Sequence, residues 1–157
     1  MRTGFLAGAV AGAAGTAALN AATYVDMAVR GRGTSSTPEQ TVEAIEDRLP
    51  VSVPGEGETR SNRISGLGSL TGIATGIGIG AAFGLLHRAG LRPPAPVGAV
   101  LAGLAAMVAT DASMTALRVT DPRQWSAGEW LSDLIPHLVY GSVTYGTVAA
   151  LAPRASR

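Results

Sequence analysis

The residues with the clearest potential for chemistry are a carboxylate and an imidazole in otherwise apolar stretches, Asp111 and His137. Such a pair can pass a proton, because imidazole titrates near neutral pH, and ionisable groups inside membrane spans often mark ion or proton pathways. The pair could instead be structural, with Asp111 accepting a hydrogen bond from His137 or Thr110 and holding two helices together. A shallow aqueous vestibule without transport is a third interpretation.

Further polar residues fall at a comparable depth in the other apolar stretches. Each of the main polar residues lies about 10 Å from one end of its predicted helix, at a rise of 1.5 Å per residue. The predicted intramembrane polar cluster comprises Asn20, Thr71, Thr75, Asp111 and His137. We expect Asp111 and His137 to lie within hydrogen-bonding or one-water distance of each other, with Asn20 approaching from the first helix.

The elements that must position these residues are four apolar stretches. A membrane-spanning helix needs about 20 predominantly apolar residues, and residues 4–27, 64–86, 95–117 and 130–152 meet that length. The second stretch has no ionisable residue, whereas a helix of a soluble bundle carries a polar stripe. The first stretch could be a secretory signal, but its apolar run exceeds the usual length of one. We therefore predict an all-α integral membrane four-helix bundle that forms one transmembrane domain over residues 1–157.

The composition excludes several classes of function. Only 15% of residues are charged, against about 25% in a typical soluble domain, and the net charge of +1 argues against nucleic-acid binding. The chain has no cysteine and two histidines, too few for a thiolate or histidine-rich metal site. No nucleophile elbow, P-loop or dinucleotide fingerprint is present. We expect no catalytic residues, no cofactor and no metal.

Glycine recurs at every fourth position of the second stretch. Each glycine would cost about 1 kcal/mol relative to alanine in a soluble helix, but in lipid small residues let helix backbones pack closely. The predicted packing residues are Gly68, Gly72, Gly76, Gly80 and Gly84. A shorter series in the first stretch comprises Gly4, Gly8 and Gly12. The spacing predicts a glycine zipper.

The two halves of the chain resemble each other. Residues 22–28 are similar to 109–114, and the sequence Gly-Ser-Leu-Thr at 68–71 is similar to Gly-Ser-Val-Thr at 141–144. In each half a loop segment reads as a short helix that ends at a proline. This pattern favours two parallel repeats of helix, loop helix and helix about the membrane normal. Chance similarity between Ala/Gly-rich segments is the alternative.

The first loop contains the clearer of these short helices. Thr37 to Gln40 read as a capping box, with Pro38 at the first helical position. Over residues 38–49 the apolar and acidic side chains fall on opposite faces. This predicts a short amphipathic helix on the surface or over the bundle. Its acidity argues against binding to anionic lipids.

The last stretch carries a family resemblance. Residues 129–141, with the sequence EWLSDLIPHLVYG, resemble the start of the last span of YagU-like inner-membrane proteins, in which an acid precedes a histidine by a few residues. The Ala/Gly-rich first stretch is also similar, although the first loop here is shorter and differently composed. The resemblance implies a small multi-pass helical protein of the inner membrane and implies no reaction.

The distribution of arginine bears on orientation, since all twelve cationic side chains are arginine. Positive charges concentrate on the cytoplasmic side of membrane proteins. A count of all arginines favours a cytoplasmic location for the long loops. The compact pair Arg88 and Arg92, with Arg2, Arg154 and Arg157 on the same side, instead favours cytoplasmic termini. We therefore expect both termini in the cytoplasm and the chain in the plasma membrane.

These observations predict a protein with a structural or accessory role rather than an enzyme. We expect its partners to be the lipid bilayer and either a second copy of the chain or a membrane-protein complex, and we expect no nucleic acid. The alternative is a small transporter or proton-conducting protein that uses Asp111 and His137.

Overall fold

The computed structural model describes residues 2–152, and over this range the chain is helical. The helices are α1 (Arg2–Arg30), α2 (Thr37–Glu46), α3 (Gly57–Arg88), α4 (Ala95–Ala116) and α5 (Ala127–Leu151), with a 3₁₀ turn at Pro122–Gln124. All of them except α2 are long and apolar enough to cross a membrane. The all-α prediction with four long apolar helices is confirmed, and this architecture fits a multi-pass membrane protein. Arg154 and Arg157 lie outside the described residues, as does the side chain of Arg2.

The third helix, α3, extends well beyond its apolar stretch. Its 32 residues span about 48 Å, more than the roughly 30 Å of a hydrocarbon core. The extra turns lie at its N-terminal end, where the Arg60 guanidinium donates to Glu46 at 2.7 Å. The segment that contains α2 packs against these turns.

The long helices pack with α1 and α5 at the centre. Helix α1 packs against α3 and α5, α4 packs against the other side of α5, and α3 makes smaller contacts with α4 and α5. One end of the bundle carries segments 31–56 and 117–126 and is called the loop side. The other end carries the short connection 89–94 and is called the turn side. Tyr140 and Thr144 of α5 are the largest fully buried side chains of the described residues.

Helices α1 and α3 meet backbone to backbone at glycines. A methyl group on Gly80 would overlap the Cα atom of Gly12, and one on Gly84 would overlap the carbonyl oxygen of Gly4. From the other side, a methyl group on Gly8 would lie 2.9 Å from the Cα atom of Gly84. Any side chain at these positions would therefore force the two helices apart.

The remaining glycines of the predicted series face different neighbours. Gly76 faces the Thr16 side chain of α1, whereas Gly68 faces Pro38 of α2, and a methyl group on Gly72 would meet nothing within 4 Å. A step of four residues turns the series by about 40° around the helix. The glycines near the start of α3 have therefore turned away from α1.

Helices α4 and α5 form a second close contact. A methyl group on Gly141 would overlap the carbonyl oxygen of Ala99 and the backbone of Gly103, and Gly98 lies against the Tyr145 ring. Ala102 is fully buried on the same face of α4. Small residues thus bring these two antiparallel helices, which follow each other in the chain, close together.

The two halves of the chain differ in their loops. Helix α2 ends at Glu46, three residues before the predicted Leu49. The capping box predicted at its start is wrong, because the N-cap residue is Ser36 and it forms no side-chain capping bond. In the second half the segment predicted as a loop helix ending at Pro136 is the start of α5, which begins at Ala127 and continues through Pro136. Segment 117–126 contains only the short 3₁₀ turn. Ser126 and Glu129 form the capping box that starts α5, and membrane helices tolerate an internal proline. The predicted helix, loop helix and helix arrangement is therefore seen in the first half only.

The connection between α4 and α5 is held by hydrogen bonds around Asp121. Its Oδ1 accepts from the Arg123 Nε at 2.9 Å and its Oδ2 accepts from the Gln124 side chain at 3.1 Å. The bonds from Arg123, and then those from Gln124, hold the pKa of Asp121 well below its usual range. Beside them the Trp125 and Trp130 rings meet edge to face at 5.1 Å, and tryptophan is common at the head-group level of a bilayer.

Candidate functional site

His137 pairs with an acid on its own helix. Its Nδ1 lies 2.8 Å from the backbone oxygen of Asp133 and 3.3 Å from the Asp133 Oδ1. A carbonyl oxygen can only accept, so Nδ1 carries the proton and donates it to Asp133. This leaves Nε2 as the nitrogen that can take up or release a second proton. The spacing of four residues places both side chains on one face of α5.

Asp111 faces this pair from α4. It is only 9% exposed, and its Oδ1 is buried without a hydrogen-bond partner among the described residues. The Asp111 side chain lies within hydrogen-bonding reach of the Asp133 side chain, whose Oδ2 is also buried without such a partner. Two carboxyl groups and one imidazole therefore meet at the interface of α4 and α5.

Asp111 and His137, expected within hydrogen-bonding or one-water distance, form no direct hydrogen bond with each other in the described part of the chain. Asp111 lies five residues before the end of α4 at Ala116. Asp133 lies six residues after the start of α5 at Ala127, and His137 lies ten residues after it. Because the helices are antiparallel, Asp111 is level with Asp133, and His137 is one turn deeper.

Thr110 does not partner Asp111 either. Its hydroxyl donates to the carbonyl oxygens of Ala106 at 3.2 Å and Met107 at 2.9 Å. Hydroxyl groups of helical threonines commonly donate to the preceding turn in this way. The Asp111 carboxyl is therefore left to Asp133 and His137.

The other predicted members of the cluster lie elsewhere. Thr71 and Thr75 donate to carbonyl oxygens of their own helix, those of Leu67 and Thr71, both at 2.9 Å. Thr71 is exposed, and Thr75 is half-buried. The half-buried Asn20 side chain forms no hydrogen bond with a described residue. Of the five predicted residues, the structure brings Asp111 and His137 together, and it adds Asp133.

A charged network on the loop side ties α1 to α5 beside this cluster. Asp26 accepts from the Arg32 guanidinium at 2.5 Å and forms a longer contact with Arg30 at 3.4 Å. Arg30 also donates to the Ser132 hydroxyl at 2.5 Å, and Ser132 directly precedes Asp133. Sequence reasoning missed this network because its arginines lie beyond the predicted first span.

A second buried histidine lies on the turn side. His87 is 8% exposed, its ring meets that of Tyr145 at 6.0 Å, and its carbonyl oxygen accepts from Arg92 at 3.2 Å. The Tyr145 hydroxyl donates to the carbonyl oxygen of Pro93 at 2.7 Å. These contacts fix the connection between α3 and α4.

Chemically, the cluster of Asp111, Asp133 and His137 can bind and release protons. Within residues 2–152 no three acidic or histidine side chains are arranged to hold a metal ion. The chain matches no protein-family model, no curated protein and no solved structure. Its function must therefore be inferred from the geometry of the helices and of this cluster.

Proposed function

We propose that the chain is an integral membrane protein with a structural or accessory role, which assembles with itself or with a larger membrane complex. The observation that carries this proposal is the contrast between a closed interior and an apolar outer surface. Large apolar side chains point outward on several helices, with Val10 59%, Val108 62% and Leu131 53% exposed. Such a surface is suited to lipid and to other membrane helices.

The interior is closed by contacts between helices. In a bilayer the glycines of α1 and α3 would act as a glycine zipper, since close backbone approach compensates for the weak hydrophobic drive between helices in lipid. Next to it the Tyr140 hydroxyl donates to the carbonyl oxygen of Gly76 at 2.6 Å, and Gly15 lies against Thr144. A solute path along the centre would require α1, α3 and α5 to separate. This favours a scaffold over a solute transporter.

The first prediction concerns topology, for which we propose a plasma-membrane location with both termini in the cytoplasm. The support is the arginine pair Arg88 and Arg92 near the turn side and the resemblance to YagU-like proteins. Because the chain has no cysteine, single cysteines can report sidedness. Leu91→Cys should react with an impermeant maleimide only after the cells are opened, whereas Ser52→Cys should react in intact cells. The reverse pattern would invert the orientation, and labelling of both in intact cells would exclude a spanning arrangement.

The second prediction concerns assembly. The chain is extracted from its native membranes in lipid nanodiscs, cross-linked and analysed by native mass spectrometry. We expect its mass to be that of an oligomer or of a complex with another membrane protein. Asp111→Asn should leave this pattern unchanged, because the assembly surface is the apolar exterior. A monomer with no cross-linked partner would contradict the proposal. Loss of assembly on Asp111→Asn would also contradict it, because it would place the buried cluster in the interface.

A further inference from the structure

In the cluster between α4 and α5, each of the two carboxyl groups has an oxygen atom without a hydrogen-bond donor among the described residues. Asp111 Oδ1 and Asp133 Oδ2 are both buried without a partner among the described residues, although their side chains lie within hydrogen-bonding reach of each other. Two ionised carboxylates in contact repel each other, and neither can donate a hydrogen bond. A single proton removes both problems, because the protonated carboxyl donates its O–H to the other.

We propose that Asp111 and Asp133 share one proton, which makes this carboxyl pair a proton-binding site near the loop side of the bundle. Asp111 is nine-tenths buried, whereas the Asp133 side chain is 23% exposed, so the proton reaches the pair at Asp133. The site requires neither assembly nor proton conduction. It therefore goes beyond the structural role proposed above and is testable on its own.

The charged groups around the pair are consistent with a single bound proton. From α5, His137 faces both acids and donates to Asp133 through Nδ1. From α1, Asp26 is already paired with Arg30 and Arg32.

No other charge comes close to the pair among the described residues. From the segment after α2, Arg48 donates to the carbonyl oxygen of Leu117 at 2.9 Å, beyond the end of α4. Helix α3 has no ionisable residue between positions 64 and 86. No arginine of the described range forms an ion pair with Asp111 or Asp133, so no permanently charged cationic side chain neutralises the pair.

His137 is a positioning residue for this site. Its bond to the backbone and side chain of Asp133, both one turn earlier, fixes the orientation of that carboxyl toward α4. Its backbone carbonyl also packs against Gly103, so this turn of α5 lies directly against α4. We therefore expect a substitution of His137 to change the proton affinity of the carboxyl pair while the fold is kept.

The third prediction tests the site with dicyclohexylcarbodiimide, which reacts with protonated carboxyl groups in apolar surroundings. The full chain in detergent is treated at a series of pH values, and the adducts are located by mass spectrometry. We expect about one adduct per chain, on Asp111 or Asp133, and its yield should fall as the pH rises. Asp111→Asn and Asp133→Asn should each abolish the adduct on the remaining acid, because the asparagine amide supplies the missing donor and lets that acid ionise.

The exposed control Glu58→Gln should leave the adduct unchanged. A second readout is the melting temperature, which should fall as the pH rises and the shared proton leaves, because the folded state binds a proton that the unfolded chain releases more readily. Asp111→Asn should remove this pH dependence. Persistence of the Asp111 adduct in Asp133→Asn would overturn the sharing, since burial alone would then hold the proton. Protection by sodium ions at constant pH would overturn it in favour of a cation site.

Discussion

Replacing Gly80 with leucine is expected to separate α1 from α3 and to cause the largest loss of stability of any single change in α3. A methyl group at this position would already overlap the Cα atom of Gly12, and the carbonyl oxygen and nitrogen atoms of the same stretch of α1 are almost as close. Overpacking typically costs about 1–3 kcal/mol when side chains can move aside. Here the neighbours are backbone atoms, so the whole helix must move, and we expect a cost at or above the upper end of that range.

The control lies two residues away on the same helix. A methyl group on Gly78 would meet nothing within 4 Å, so Gly78→Leu should keep or raise the melting temperature, since leucine is the better helix former by somewhat less than 1 kcal/mol. Gly76→Leu should fall between the two, because its neighbours are the side chains of Thr16 and Tyr140, which can adjust. The measurement is thermal unfolding in detergent together with the size of the particle.

Two outcomes would contradict this prediction. Equal destabilisation by Gly80→Leu and Gly78→Leu would show that the cost arises within α3 and not from its contact with α1. Wild-type stability of Gly80→Leu would place that face of α3 against lipid. If Gly78→Leu changes the oligomer but not the melting temperature, the outer face of α3 is the assembly surface.

The four long helices could be predicted because a span is recognised by length and by missing charge. The residues at which these helices begin and end could not be predicted. Charged residues mark the limit of the apolar stretch at Ile64, yet α3 starts at Gly57, because Arg60 in its first turns pairs with Glu46. That ion pair joins segments 14 residues apart in sequence, and no local pattern reveals it. The length of the helix beyond the membrane is therefore a tertiary effect.

The depth of the candidate site along the helices could be predicted from the sequence. Which side chains contact each other there could be predicted only in part. Counting from Trp130 places His137 level with Asp111, whereas the capping box of Ser126 and Glu129 starts α5 three residues earlier at Ala127. That signature was readable in the sequence and would have shown Asp133 to be the level partner. The depth of a residue along its helix also says nothing about the direction in which its side chain points around the helix axis. For this reason Thr71, at a suitable depth, lies exposed on α3.

Tyr140 allows packing and hydrogen bonding at the centre of the bundle to be separated. Its side chain is 1% exposed, lies between α1 and α3, and donates to the carbonyl oxygen of Gly76. Tyr140→Phe removes only that bond, and hydrogen bonds between membrane helices average about 0.6 kcal/mol. Tyr140→Ala also empties the space beside Gly15, and truncating a buried aromatic residue costs about 3–5 kcal/mol in soluble proteins.

In lipid part of that cost disappears, because exposing apolar surface to acyl chains carries little penalty. The van der Waals attraction between the Tyr140 ring and helices α1 and α3 is not replaced, however, since a closed interior cannot admit a lipid chain. We therefore expect Tyr140→Ala to lower stability several times more than Tyr140→Phe, measured by unfolding in detergent, while Tyr24→Ala at a 62% exposed position has almost no effect. Equal losses for Tyr140→Phe and Tyr140→Ala would mean that the bond to Gly76, and not the packing of the ring, holds α5 against α3.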